Sequence, residues 1–153
     1  MADHINLLKL CVGAESVEDL EDWQTSQAHR WPAGRAVHVT RMWPKREAEL
    51  LAGGSLFWII KGQVLARQRI LRLEERRGAD GIARCALVLA TEVIRTEAAP
   101  RRPFQGWRYL DPKSAPPDLG KAAASVAAMP EPMRRELREL GLRRLYEMAQ
   151  LAP

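Results

Sequence analysis

Only two cysteines and three histidines occur among the 153 residues, and neither type is grouped. Cys11 and Cys85 lie in separate apolar segments without CxxC spacing, which speaks against a zinc site or a disulfide framework and fits a reducing compartment. No HxxxH, HExxH or acidic, glycine-bearing calcium loop is present, so no metal and no cofactor is predicted. His4, His29 and His38 are scattered and define no nucleophile–base pair. Gly53-Gly54-Ser55 lacks the flanking glycine and lysine of a nucleophile elbow or a phosphate loop and reads as a helix stop. Apolar runs such as Leu56 to Ile60 are far too short to span a bilayer, and Asp3 stands where a leader would carry basic residues. The expectation is a cytoplasmic protein without a membrane partner.

What the chain does have is arginine. The formal charge is +5 at 46% hydrophobic composition, enough apolar material for one self-sufficient domain over residues 1–153. Such a charge favours an anionic partner and is equally compatible with plain solubility. The densest signal is Arg101-Arg102-Pro103-Phe104-Gln105-Gly106-Trp107-Arg108-Tyr109, which joins three arginines to three aromatic rings. Planar cations and flat apolar faces suit a ligand that bears phosphates or bases.

Hydrophobic periodicity predicts a strand over Ile5 to Val12, then a helix capped by Ser16 with Val17, Leu20, Trp23 and Gln27 along one face. Ala36 to Met42 reads as a second strand, and Pro44 opens a short helix that Gly53-Gly54 ends. The run Leu56 to Ile60 has no polar face, so it is predicted as a central strand buried on both sides. Gln63 to Glu75 fits either a long strand or a helix, and the strand is preferred. A hairpin across Gly78 to Gly81 leads into a strand over Ile82 to Leu89, and Thr91 to Thr96 continues the sheet. Residues 100–119 hold five prolines and are expected to be mostly irregular. A helix over about 130–151 carries Met133 and Leu137 on one face and Arg134, Arg135 and Arg138 on the other.

Several basic residues are candidates for a ligand surface, each with a plainer reading beside it. Lys45 and Arg46 fall in a predicted first helical turn, where cations oppose the helix dipole and a bound anion would relieve the conflict; alternatively they reach Glu49 or solvent. Trp58 and Lys61 flank the end of the apolar strand, and Arg67 and Arg69 share one strand face that can line a groove or simply face water. Arg41, Arg101, Arg102, Trp107 and Arg108 complete the set, with Phe104 and Trp107 equally able to serve as core cover. His38 lies on the strand face opposite Val37 and Val39, which suits a surface or hydrogen-bonded histidine better than a pocket residue.

The strings His38-Val39-Thr40-Arg41, Gly53-Gly54-Ser55-Leu56, Ile60-Lys61-Gly62, Ala66-Arg67-Gln68-Arg69-Ile70 and Phe104-Gln105-Gly106-Trp107-Arg108-Tyr109-Leu110 occur in fixed order. Together they resemble a bacterial family known as domain-of-unknown-function family fourteen-eighty-nine, a likeness that covers most of the chain and implies no activity. Pro44 to Leu73 also resembles, at the level of fold, the PUA-like barrels, including the ASCH and EVE groups, some of which bind RNA or a modified base. Gly54-Ser55 stands where those domains often have Gly-Asp.

The expected architecture is a single α+β domain with a mostly antiparallel, barrel-like (PUA-like) sheet, peripheral helices and a C-terminal helix. The leading function is an RNA-binding or nucleotide-binding module in which Arg41, Lys45, Arg101, Arg102 and Arg108 meet phosphates and Trp107 or Trp58 stacks on a base. Two alternatives stand: a small enzyme on a phosphorylated or nucleotide-like substrate with His38 or Lys61 as acid–base group, and an adaptor that uses the C-terminal helix.

Overall fold

The computed structural model describes residues 4–120 together with Ala128, Pro130, Pro132 and Met133. Among the described residues seven strands and two α-helices follow in the order β1 (Asn6–Leu10), α1 (Val17–Gln27), β2 (Arg35–Thr40), α2 (Glu47–Leu51), β3 (Ser55–Ile60), β4 (Gln63–Arg77), β5 (Ala83–Ala90), β6 (Ile94–Pro100) and β7 (Trp107–Leu110). The domain is α+β, with one mixed sheet ordered β2-β5-β4-β3-β1-β7 and with β6 also paired to β4. The predicted C-terminal helix over about 130–151, with Arg134, Arg135 and Arg138, lies outside the described residues except at Pro130, Pro132 and Met133.

β4 organises the sheet because its 15 residues serve two sets of partners. Its first half pairs with β3 and β6, and its second half pairs with β5. Register shifts between Val64 and Ala66 and between Ile70 and Arg72 interrupt the ladder, as bulges do where a long strand bends. The stretch Gln63 to Glu75, compatible by pattern with strand or helix, is thus a strand throughout, with a pairing strand along each half. β3 sits between β1 and β4 and is buried at every residue, as expected of an apolar run with no polar face.

The sheet does not close into a barrel. β2 and β7 are its two ends and do not pair. Side chains span the opening instead: the Trp107 indole N–H donates to the Met42 carbonyl at 2.8 Å, and the Tyr109 hydroxyl accepts the backbone N–H groups of Lys45 and Arg46 at 2.9 and 3.2 Å. Tyr109 thus satisfies two N–H groups ahead of α2, which starts at Glu47 with Arg46 as its N-cap, three residues later than Pro44 suggested. Residues 117–119 cover the free edge of β6 through Glu97 N–H to Pro117 O and Leu119 N–H to Arg95 O.

Three further local outcomes differ from the pattern-based reading. Sheet pairing resumes only at Ile94 after a break at 91–93. The proline-rich segment contains β7, since Trp107 to Leu110 alternates faces and finds the free edge of β1. In α1 the buried residues are Val17, Leu20 and Gln24, while Trp23 is half exposed and packs its ring 5.7 Å from that of Trp31. Ser16 does cap α1, accepting the Asp19 N–H at 3.1 Å. Gly54 has no room for a side chain, because a Cβ there would overlap the carbonyl oxygens of Ile5 and Leu50.

Gln24 is buried because it belongs to a polar cluster inside the core. The Gln68 side chain, fully buried on β4, accepts the Trp58 indole N–H at 2.9 Å and the Gln24 amide at 2.8 Å. Its own amide donates to Gln24 at 2.8 Å and to the Ala90 carbonyl at 3.0 Å. Removing one member leaves several buried groups unpaired and a cavity besides. Gln68→Ala should therefore cost about 2–4 kcal/mol in urea unfolding at neutral pH. A loss below about 0.5 kcal/mol, the level of an ordinary surface change, would show that the cluster is not structural.

Candidate functional site

Cross-strand partners share a sheet face, so the registers sort the basic and aromatic candidates. Trp107 lies opposite Lys9, and Tyr109 opposite Leu7, on the face that carries Trp58 and the larger apolar cluster. Arg108 lies opposite Leu8 on the other face, its guanidinium 4.3 Å from the Phe104 ring centroid. Arg67 and Arg69 are also on that second face, since Arg67 pairs with Phe57 and Arg69 with Ser55. Lys61 and Arg101 meet at the end of the sheet, where the Arg101 N–H donates to Gly62 O. Trp58 is in the core, and the other nine candidates divide among three places. Arg41 and Lys45 join Trp107 on one surface; Arg67, Arg69 and Arg108 lie behind it; Lys61, Arg101 and Arg102 lie at the sheet end.

Several side chains are already engaged. Arg67 forms a two-pronged pair with Asp118 at 2.8 Å on each arm and donates to the Ser55 hydroxyl at 2.9 Å. Arg46 grips Glu49 at 2.6 and 2.7 Å, which answers its position ahead of α2 without a bound anion. Lys61 approaches Glu15 at 3.9 Å in an exposed pair. Trp58 is buried, with its ring edge-on to His38 at 5.1 Å. Arg41, Lys45, Arg69, Arg101, Arg102 and Arg108 are exposed, and Trp107 is partly so.

On the same sheet face as Trp107 lies a cavity of about 460 Å³ between the end of β1, the turn into α1, and β2. Its wall is mainly apolar, from Leu10, Leu20, Trp23 and Trp58, with Lys9, Asp19 and His38 as its titratable polar groups beside Cys11. Burial, reinforced by the charge of Lys9, lowers the His38 pKa to about 4. Burial also lowers that of Lys9. Burial and then Asp19 push the Cys11 thiol up to about 11, so it is not a ready nucleophile. Buried His38 Nε2 has no hydrogen-bond partner. His38 is thus a pocket residue, against the expectation of a surface or hydrogen-bonded histidine, and Lys61 does not share the cavity with it. Lys9 and Asp19 escaped sequence reasoning; the one available signal was a single lysine inside the apolar run from Ile5 to Val12.

Among the described residues no group of three or more His, Cys, Asp or Glu side chains could hold a metal ion. No helix among them is long and apolar enough to cross a membrane. What fold and site define is an α+β protein with an open mixed sheet, a basic, aromatic surface and an apolar cavity beside it. Residues 7–143 match the family described as Protein of unknown function (DUF1489), and the chain belongs to that family. No curated protein and no solved structure matches it.

The buried imidazole makes stability depend on pH. The folded chain favours neutral His38, while the unfolded chain takes up a proton near pH 6.5, so stability is full above about pH 6.5 and falls as pH drops towards about 4. The loss should reach on the order of 3 kcal/mol. Urea midpoints measured from pH 7 to pH 4.5 should show a smaller decline in His38→Phe, which keeps a ring against Trp58 without a titrating group. Equal declines in the two proteins would mean that His38 is freely protonated in the fold.

Proposed function

We propose that the protein binds RNA or a nucleotide-like anion on the surface built from residues 41–46 and β7. The observation that carries this reading is the set of three hydrogen bonds that join Met42, Lys45 and Arg46 with Trp107 and Tyr109, which brings two segments rich in cations and aromatics together across the open side of the sheet. Arg41 and Lys45 are exposed beside a partly exposed Trp107, so cations for phosphates adjoin a ring for a base. Lys61, Arg101 and Arg102 extend the positive charge to the sheet end. The order α2, Gly53-Gly54, β3 and long β4 supports the fold-level likeness to PUA-like domains within this reading.

The enzyme alternative is weaker on two counts. Lys61 and His38 do not share a site, and a base with a pKa of about 4 is poorly matched to proton transfer near neutrality. The adaptor alternative depends on the C-terminal helix, outside the described residues.

Affinity for single-stranded RNA should fall by about 0.7 log units per phosphate contact for each tenfold rise in salt. The double change Arg41→Glu with Lys45→Glu should weaken binding and flatten that slope. Arg69→Glu, on the opposite face, should change affinity by less than about twofold. Fluorescence anisotropy with a labelled oligonucleotide measures all three. No binding by the folded protein at low salt, or equal losses from both variants, would rule this surface out.

A further inference from the structure

We propose that the cavity between β1, the turn into α1, and β2 is a separate binding site for a small, planar, apolar molecule that carries one anionic group, the anion lying at Lys9 and His38. At about 460 Å³ the cavity is of a size that holds small ligands, and its mix of apolar walls with a few convergent polar groups is what such sites have in common. Trp23 and Trp58 contribute aromatic surface, and Leu10 and Leu20 complete an apolar lining suited to a flat ring system.

The polar groups set the sign of the ligand's charge. Lys9 is partly buried and takes part in no ion pair among the described residues, so its ammonium group has no carboxylate in direct contact. Asp19 is the one carboxylate in the wall; it accepts the Glu15 N–H at 2.9 Å at the start of α1 and forms no ion pair with Lys9, so its charge keeps a ligand's anion to the Lys9 and His38 side. His38 adds a buried ring nitrogen that lacks a partner, an arrangement that costs about 1–3 kcal/mol unless something satisfies it. A half-turn of the imidazole exchanges its nitrogen and carbon edges, so the ring can turn an N–H towards an incoming oxygen. A carboxylate meets both needs: it neutralises Lys9 and accepts from His38. The site goes beyond the RNA-binding reading and does not rest on it, because its walls exclude Arg41 and Lys45.

The probes are 2-naphthoate and its neutral counterpart 2-naphthalenemethanol, followed by calorimetry and by the ring-proton NMR signals of His38. Naphthoate should bind about tenfold more tightly than the alcohol, the difference that one partly desolvated, charge-assisted contact supplies. Lys9→Met keeps the aliphatic stem and should reduce naphthoate affinity about tenfold while leaving the alcohol unchanged. In the wild-type protein naphthoate should shift the His38 signals, a readout that does not require any variant to fold. Failure of naphthoate to bind at millimolar concentration overturns the site. Equal affinity for the two probes, or naphthoate binding that Lys9→Met does not change, overturns the assignment of the anion. Loss of RNA binding would leave these outcomes untouched.

Discussion

The Gln68 side chain is where the parts of this domain are tied together. It is fully buried, yet its oxygen and nitrogen bond to α1 through Gln24, to β3 through Trp58 and to the end of β5 through Ala90. An amide in an apolar core is tolerated only when its hydrogen-bonding capacity is met, and here it is met by three separate elements. The cluster therefore specifies geometry as well as stability. Sliding β4 by one residue would turn Gln68 to the other face and leave its partners unpaired. Trp58, held by that bond, in turn forms the floor against which His38 packs, so the cavity inherits its shape from the same cluster.

Open sheets carry exposed edges, and this one is protected without strand closure. β7 has only four residues and ends just before Pro112, which limits its use as a template for another strand. The segment after β2 is held against it by side-chain bonds, and residues 117–119 shield β6. The protective contacts at β7 are made by the residues that form the basic, aromatic surface. Edge protection and the proposed ligand surface thus occupy the same place.

Much of the fold was legible because single residues dictated local structure. Leu56 to Ile60 could only be an interior strand, Gly78 to Gly81 could only turn, and Ser16 had the side chain to cap α1. Gly53-Gly54 ended α2 as read, and Cys11 and Cys85 are the buried free thiols that their apolar surroundings implied. The failures came from contacts between distant residues. Nothing near Pro44 reveals that Tyr109 will take the next two N–H groups, and nothing in α1 announces that Gln24, rather than Trp23, will be inside. The candidate site was half legible for the same reason. Arginine and aromatic density marked Trp107 and its neighbours, but strand alternation, which sends Arg108 to the opposite face, requires the strand to be recognised first. The cavity wall joins residues from β1, α1, β2 and β3, a grouping that no linear pattern encodes.

The connectivity of the sheet also separates local pairings from distant ones. β3, β4, β5 and β6 follow one another with short connections, so their pairings close small loops at little entropic cost. β1 must instead find β3 across α1, β2 and α2, and β7 must find β1 from almost the far end of the described chain. Such non-local pairings come late in folding. The cavity needs β1 placed on β3, and the basic surface needs β7 placed on β1 as well. Only the basic surface therefore waits for the stretch from Trp107 to Leu110, since every residue that lines the cavity lies at or before Trp58.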